Sequence, residues 1–168
     1  MDLDSHRTPR VLAFWSQFKV ATGVDHDIFD VVSFGDSAEM MDELADLVVA
    51  GIKRATAPLL RDFTSRGLTP PSPGDLVIVV DGSGEPRCVY RTESAEIRAL
   101  NLIDEDFAFR EGEGDKTLAS WYQSHVEYYT RQAAREQFSF SSSIPVVLER
   151  FVVVWAPVGR STAPGISC

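Results

Sequence analysis

The chain has 168 residues, of which 44% are hydrophobic and 24% charged, and this composition fits one globular domain with a core of its own. Its formal net charge of −9 and sequence pI of about 4.7 argue against binding to long duplex nucleic acid, because phosphate contacts require clustered Lys and Arg. A small anionic or nucleoside ligand is compatible with this charge.

The sequence also argues against membrane insertion and secretion. No apolar run approaches the roughly 20 residues that span a bilayer, and the polar start of the chain lacks the layout of a secretory signal. The only two cysteines, Cys88 and Cys168, do not suggest a disulfide framework. We therefore expect a cytoplasmic protein that makes no contact with a membrane.

A helix and a short strand are the first predicted elements after a flexible polar lead at residues 1–10. Four large apolar residues share one helical face: Val11, Phe14, Trp15 and Phe18. This helix should end near Gly23. The apolar stretch at residues 28–34 then predicts a short strand that leads to a turn at Gly35.

The next helix is marked at both ends. Its apolar face carries Met40, Met41, Leu44, Leu47 and Val48. Either Asp36 or Ser37 can cap its start, and Gly51 can adopt the left-handed conformation that commonly closes a helix. The Gly-x-Lys-x-x-Thr pattern that follows places Lys53 and Thr56 just beyond the helix end.

Two interpretations of Lys53 are open. In the first, Lys53 only solvates the partly negative end of the helix, as cations often do there. In the second, burial lowers the pKa of Lys53, which then acts as a general base and activates a nearby hydroxyl group. Thr56 is three residues away, so the two side chains share a side if the segment is helical but not if it is extended.

The second half of the chain reads mainly as strands. A short helical turn near residues 59–63 precedes a buried strand at 76–80, which a glycine-containing turn joins to a strand that begins near Cys88. Residues 95–100 fit a third strand, although residues 91–98 fit one continuous, bulged strand equally well. The last β-prone segment, residues 146–155, is interrupted by two charged residues, of which one should face outward and the other should be paired inside or at a cleft rim: Glu149 and Arg150.

A run of glycines and acids lies between these strands. Glu111, Glu113 and Asp115 occupy alternate positions, so their carboxylates point to one side if the backbone is extended. Asp115 can also cap a long helix with an apolar and aromatic stripe formed by Leu118, Trp121, Tyr122, His125, Val126 and Tyr129. The acids fit a solvated loop equally well, and without a nearby His or Cys they do not predict a metal site.

Helices separated by strands that come mainly in hairpins predict an α+β fold built on a small mixed or antiparallel β-barrel. A Rossmann fold is disfavoured because no glycine-rich fingerprint joins a strand to a helix. The domain should span residues 11–156, followed by a flexible tail at 157–168. We expect the strands at 76–80, 87–98 and 146–155 to share one curved sheet, with the helix that ends at Gly51 covering one opening.

The order of several motifs resembles that of one known family, the ASCH (ASC-1 homology) domains. The matching segments are Phe14-Trp15, Phe34-Gly35-Asp36, Gly51-x-Lys53-x-x-Thr56, Pro73-Gly74-Asp75, Gly84-Glu85-Pro86, Glu111-Gly112-Glu113-Gly114-Asp115, Trp121 with His125, and Glu149-Arg150-Phe151. The resemblance covers roughly residues 11–155. It implies a PUA-like barrel and a ligand that is RNA or a nucleoside or nucleotide, and it indicates no oligomeric state.

The resemblance also implies a site. In small ASCH amidohydrolases that act on N4-acetylcytidine, the lysine and threonine of the same motif match Lys53 and Thr56, and we expect Glu113 to supply the acid. A longer relative is a ribonuclease that acts on single-stranded RNA, for which Lys53 is again the matching residue. A non-catalytic RNA- or nucleotide-binding module that uses the same cleft is the alternative to both enzymes, and none of the three requires a cofactor.

Substrate contacts are predicted for five further residues: Arg54, Glu111, Asp115, Trp121 and His125. Trp121 and His125 also fit a role at the edge of the core. We expect Lys53 to line a concave cleft together with the glycine-acid run, because opposite charges at close range would hold the empty site together.

Overall fold

The computed structural model describes residues 6–158. Five helices form at α1 (Pro9–Thr22), α2 (Ala38–Val49), α3 (Leu60–Thr64), α4 (Glu105–Glu111) and α5 (Leu118–Glu136). Five strands form at β1 (Asp30–Val32), β2 (Ala55–Thr56), β3 (Leu76–Val80), β4 (Pro86–Ala99) and β5 (Pro145–Trp155), and a 3-10 turn at Leu100–Leu102 follows β4. The predicted tail beyond residue 158, with Cys168, lies outside the described residues.

The five strands form one mixed sheet in the order β1-β3-β4-β5-β2. Only the β1–β3 pair is parallel, while the other three pairs are antiparallel. The predicted α+β class is thus confirmed, and the strands at 76–80, 87–98 and 146–155 do share one sheet. The two edge strands, β1 and β2, do not pair with each other within residues 6–158, so this PUA-like sheet is open rather than a closed barrel.

The ends of the first two helices follow the local sequence. Gly23, with φ +80°, closes α1 by donating its N–H to the carbonyl of Lys19. Ser37, rather than Asp36, caps α2, because its hydroxyl accepts the N–H of Met40 at 3.2 Å. Both predicted helices therefore end where expected, whereas α1 begins at Pro9, inside the predicted flexible lead at residues 1–10.

The strand predictions need three adjustments. β1 covers only three residues of the predicted 28–34, since only these pair with β3. β4 is one continuous strand with a register shift between Thr92 and Ser94, which decides between the two alternatives. β5 runs through Glu149 and Arg150 without a break, because strands flank it on both sides.

Helix α4 has no counterpart in the sequence-based prediction. Asp104 caps it by accepting the N–H of Phe107 at 2.9 Å, and Phe107 and Ala108 are fully buried. The helix ends at Glu111, and Gly112 then takes a left-handed conformation with φ +71°. The glycine-acid run is thus a helix end followed by a turn, so the backbone is not extended and the condition for all three carboxylates to share one side is not met.

Three apolar clusters hold the helices against the sheet. One packs α1 on β3 and β4, and a second packs α2 beside β3, β4 and β5. The third contains Phe107 from α4, Trp121 and Tyr129 from α5, and Leu148 from β5. This third cluster fixes α4 and α5 beside β2 and β5, where the candidate site lies. None of the helices within residues 6–158 is long and apolar enough to cross a membrane.

Candidate functional site

A cavity of about 670 Å³ opens between the loop after β1, the segment after α2, α5 and the sheet. This size suits a small-molecule ligand. Six carboxylates and three Lys or Arg side chains contribute to its lining: Asp30, Asp62, Asp75, Glu111, Glu113, Glu149, Lys53, Arg66 and Arg131. The cavity is therefore acidic, as is the whole chain.

Lys53 is the cation at the centre of this lining. Lys53 is 1% exposed, and its Nζ donates to Glu113 Oε1 at 2.6 Å and to Glu111 Oε1 at 3.5 Å. The ammonium group also lies 5.1 Å from the centroid of the Phe34 ring, within the range of a cation–π contact. The prediction that Lys53 and the glycine-acid run share a cleft is confirmed, whereas the interpretation of Lys53 as a solvated residue at a helix end is wrong.

Glu111 is buried to the same degree and is surrounded by donors. It receives the indole N–H of Trp121, and its Oε2 lies 3.0 Å from His125 Nε2. The other ring nitrogen of His125 lies 2.9 Å from the carbonyl oxygen of Trp121. Because a carbonyl oxygen only accepts hydrogen bonds, both nitrogens of His125 face acceptors, and the imidazolium form satisfies both.

The pKa directions agree with this arrangement. Burial alone would lower the pKa of Lys53, but Glu111 and Glu113 outweigh burial and raise it. Burial would likewise lower the pKa of His125, and Glu111 reverses that effect. Burial would raise the pKa of Glu111, but Lys53 and His125 hold it below its ordinary value. At neutral pH the cluster therefore holds two positive charges opposite carboxylates, and the lowered pKa expected for Lys53 is not found.

Backbone contacts bring Lys53 and the acids together. The Lys53 N–H donates to the carbonyl of Leu47 at 3.0 Å, and the Arg54 N–H donates to the carbonyl of Arg110 at 2.8 Å, so the segment is tied to both α2 and α4. Gly112 approaches this segment so closely that an added Cβ would lie 2.4 Å from the carbonyl oxygen of Ile52. Only glycine permits both this approach and the left-handed φ.

Thr56 lines the same cavity as Lys53, although the segment that joins them is not helical. A helical turn would put the Lys53 and Thr56 side chains on one side, and this turn does not form. Within the described residues no hydrogen bond links the Thr56 hydroxyl to the Lys53 amine. In the antiparallel register Thr56 of β2 is directly opposite Glu149 of β5.

The remaining predicted contact residues separate into two groups. Glu111 and His125 line the cavity together with Lys53. Three others do not line it: Arg54, Asp115 and Trp121. Arg54 is exposed, Asp115 accepts the N–H and hydroxyl of Thr117 at the start of α5, and Trp121 is a buried support of Glu111 that stacks on His125 at 3.9 Å between ring centroids.

Two features of the site did not emerge from the sequence. Thr117, rather than Asp115, caps α5 by accepting the N–H of Ser120. Of the two charged residues in β5, Glu149 is the one that faces inward, since it is only 4% exposed and lines the cavity, while Arg150 binds Glu96 at 3.3 Å. The signal for Glu149 was the charge inside an apolar run, but the sequence does not reveal the cavity.

Metal ligation was not predicted. Residues 6–158 contain no group of three or more His, Cys, Asp or Glu side chains placed to hold a metal ion.

The fold and cavity define an α+β protein whose open mixed sheet carries a buried charge cluster at a ligand-sized cleft. A family model for the ASCH domain matches residues 30–155, and the chain therefore belongs to the ASCH domain family.

Two crystal structures are similar over most of their length. Protein EF3133 from Enterococcus faecalis V583, of family DUF984, is 34% identical, with a TM-score of 0.80 over 86% of this chain and 88% of its own. An ASCH domain from Lactobacillus crispatus JV V101 is 30% identical, with a TM-score of 0.80 over 88% of this chain and 95% of its own. No curated protein sequence matches the chain.

Proposed function

We propose that this ASCH protein hydrolyses an N-acylated pyrimidine nucleoside of the N4-acetylcytidine type, with Lys53, Thr56 and Glu113 as the catalytic residues and no metal ion. The observation that carries the proposal is the 2.6 Å contact between the buried Lys53 ammonium and Glu113, in a cavity that Thr56 also lines. The Glu113 side chain is 29% exposed, so it is the member of the acid pair that a ligand can reach.

The charge of the cavity supports an uncharged ligand. Its lining has six acidic side chains against three Lys or Arg side chains and the His125 imidazolium. Acids still outnumber cations when Glu149 is protonated, so a phosphodiester would meet net repulsion. A nucleoside carries no phosphate. The same observation disfavours the ribonuclease alternative, which requires a phosphate to lie beside Lys53.

The short contact permits the required proton transfers. Moving the shared proton from Lys53 Nζ to Glu113 creates a neutral amine and a carboxylic acid, which are a base and an acid. The amine then removes a proton from the Thr56 hydroxyl, or from a water that Thr56 orients, as the oxygen attacks the acyl carbon. When the C–N bond breaks, Glu113 protonates the leaving amino nitrogen. If Thr56 is the nucleophile, water then hydrolyses the acyl ester and restores its hydroxyl.

A non-catalytic nucleoside- or RNA-binding module is the second candidate, and one observation favours it. Glu111 and Glu113 hold Lys53 as an ammonium, and no hydrogen bond links it to Thr56 within the described residues. A binding module needs only this cation and the shape of the cavity, whereas hydrolysis needs all three groups to converge on the ligand.

Turnover of N4-acetylcytidine and of a short single-stranded RNA, both with a chelator present, separates these functions. We expect the wild type to release acetate from the nucleoside, and Lys53→Ala to lower the rate by roughly 10²–10⁴-fold, as is typical of general-base loss. Lys53→Arg should not rescue it, since a guanidinium stays protonated. Lys19→Ala, which removes a surface lysine paired with Asp27 at 2.7 Å, is the matched control and should retain the wild-type rate.

The binding module predicts a different result. In that case neither substrate gives product, and Lys53→Arg retains most of the wild-type affinity because it keeps the cation. That combination would exclude the hydrolase. RNA cleavage without nucleoside hydrolysis would instead favour the ribonuclease and contradict the charge argument.

A further inference from the structure

Glu149 forms a second polar position in the cavity, apart from the Lys53 cluster. It is 4% exposed and lies on β5 directly opposite Thr56 of the edge strand β2. Side chains of directly opposite residues in an antiparallel pair stand on the same face of the sheet. Glu149 and Thr56 are therefore neighbours on one wall of the cavity, and both line it.

The surroundings of Glu149 differ from those of Glu111 and Glu113. Its Oε1 accepts the Thr92 hydroxyl at 2.6 Å, and its Oε2 accepts the Tyr90 hydroxyl at 3.4 Å. Within residues 6–158, none of the ion pairs includes Glu149. A buried carboxyl group without a cation favours its neutral form.

The charged groups near Glu149 also favour its neutral form. The groups that face it are Tyr90 and Thr92 on β4, Thr56 on β2, Asp30 on β1 and Asp75 just before β3. Burial, together with the like charges of Asp75 and Asp30, raises the pKa of Glu149 to about 7, although the two hydroxyls oppose this shift.

A neutral carboxyl group carries one donor and one acceptor side by side, whereas a carboxylate only accepts. The hydroxyls of Thr92 and Tyr90 suit both forms, because a hydroxyl group donates or accepts. The complementary ligand edge has a ring nitrogen that accepts next to an exocyclic N–H that donates. The N3 and N4–H of a cytosine or an N4-acylcytosine form such an edge, and enzymes that bind single bases commonly contact this edge.

We propose that neutral Glu149 recognises the pyrimidine edge of the ligand, donating to the ring nitrogen and accepting from the exocyclic N–H. This inference rests on the proposed nucleoside specificity of the cleft. Since Thr56 is the cross-strand neighbour of Glu149, an exocyclic nitrogen held by Glu149 places its acyl group beside the Thr56 hydroxyl. Glu149 is thus a specificity-determining residue, and Glu113 keeps the role of proton donor.

Calorimetric titration with cytidine, the product of the proposed reaction, tests this without turnover. Cytidine remains uncharged between pH 6 and pH 9, so a change in affinity over this range reports on the protein. Wild-type affinity should fall roughly tenfold from pH 6 to pH 8, because only the protonated fraction of Glu149 is competent to bind. Glu149→Gln retains a donor and an acceptor, so it should bind as the wild type does at pH 6 and lose this part of the pH dependence. Glu149→Leu should lose affinity at every pH.

Glu96→Gln is the control, because Glu96 is a partly exposed carboxylate on β4 that does not line the cavity and pairs with Arg98 and Arg150. It should keep the wild-type pH profile. A Glu149→Gln variant with an unchanged profile, or one as weak as Glu149→Leu, would overturn the proposal, as would a wild type that does not bind cytidine. Thermal unfolding checks that each variant is folded. If Glu149→Leu does not fold, the comparison of Glu149→Gln with the wild type still decides the proposal.

The outcomes also separate this inference from the proposed reaction. Cytidine binding with the expected profile, without hydrolysis of N4-acetylcytidine, would retain the role of Glu149 and remove the hydrolase. Hydrolysis of N4-acetylcytidine with a profile that Glu149→Gln does not change would remove the role of Glu149 alone.

Discussion

Lys53 is buried together with charges that offset its own. Transferring an ammonium from water to a protein interior costs several kcal/mol, and nearby carboxylates must compensate for this cost. Glu113 at 2.6 Å and Glu111 at 3.5 Å supply that compensation, and His125 balances the second carboxylate. The stability of the free protein thus depends on the same residues that we propose for catalysis.

Replacing Lys53 by methionine tests this dependence. Lys53→Met keeps the length of the side chain but leaves Glu113 without its cation and Glu111 with His125 alone, so the free energy of unfolding should fall by roughly 3–5 kcal/mol. Adding Glu113→Gln to this variant should recover part of the loss, since one of the uncompensated charges is removed. Denaturant unfolding at pH 7 measures both effects.

A surface lysine provides the comparison. Lys19→Met removes the partner of Asp27, whose side chain is 70% exposed, and it should change stability far less because water solvates the remaining charge. If Lys53→Met and Lys19→Met unfolded at similar denaturant concentrations, the Lys53 cluster would not stabilise the fold as proposed.

At the scale of elements, the site depends on how closely the end of α4 approaches the end of α2. Gly112 makes this contact against the backbone of Ile52, and the adjacent hydrogen bond from Arg54 to Arg110 reinforces it. Two helix ends therefore meet, one contributing the cation and the other the acids. A side chain at position 112 would separate them.

Gly112→Ala should therefore destabilise the fold by more than conformational strain alone. A left-handed alanine costs roughly 1–2 kcal/mol, and its Cβ at 2.4 Å from the Ile52 carbonyl oxygen adds a clash with backbone. Gly67→Ala is the matched control, since Gly67 has φ +68° and nothing within 4 Å of an added Cβ. Denaturant unfolding should show a clearly larger loss for Gly112→Ala, and equal losses in the two variants would contradict a tight contact.

The elements differ in how far their sequence predicts them. The strand at residues 76–80 is an unbroken apolar run between turns, and Val11, Phe14 and Trp15 recur at helical spacing, and both elements form as predicted. Helix α4 escaped prediction because it is short and its apolar residues are divided, with Phe107 fully buried but Phe109 53% exposed. Local periodicity does not indicate such a helix, whose stability depends on tertiary packing.

In the candidate site, too, local sequence motifs identify the residues, whereas their placement depends on the tertiary fold. The motif of Lys53 and Thr56 identified the segment, and the acid run identified its partners. The sequence did not show which of the three acids reaches the cavity. Glu111 is buried against His125, Glu113 is partly exposed beside Lys53, and Asp115 binds Thr117 at the start of α5. The different placements of the three acids depend on the left-handed conformations of Gly112 and Gly114, which change the direction of the chain between them.

The whole molecule combines an acidic surface with an acidic cavity. A net charge of −9 and the excess of acidic over basic side chains in the cavity both oppose long polyanions, whereas Lys53 and a neutral Glu149 suit a small polar ligand without charge. The Lys53 cluster and Glu149 line the same cavity, and Thr56 of the edge strand β2 lines it as well. We infer that the cleft is built for one nucleoside rather than for a strand of RNA.

A crystal structure of the Thr56→Val variant with N4-acetylcytidine tests this claim most directly. Without the hydroxyl group the substrate should remain intact, with its acyl carbon about 3–3.5 Å from the position that the Thr56 oxygen would occupy. The pyrimidine edge should face Glu149, and the exocyclic nitrogen should lie within reach of Glu113. A nucleoside bound outside the cavity, or bound inside it with its acyl group turned away from Thr56 and Lys53, would contradict the account.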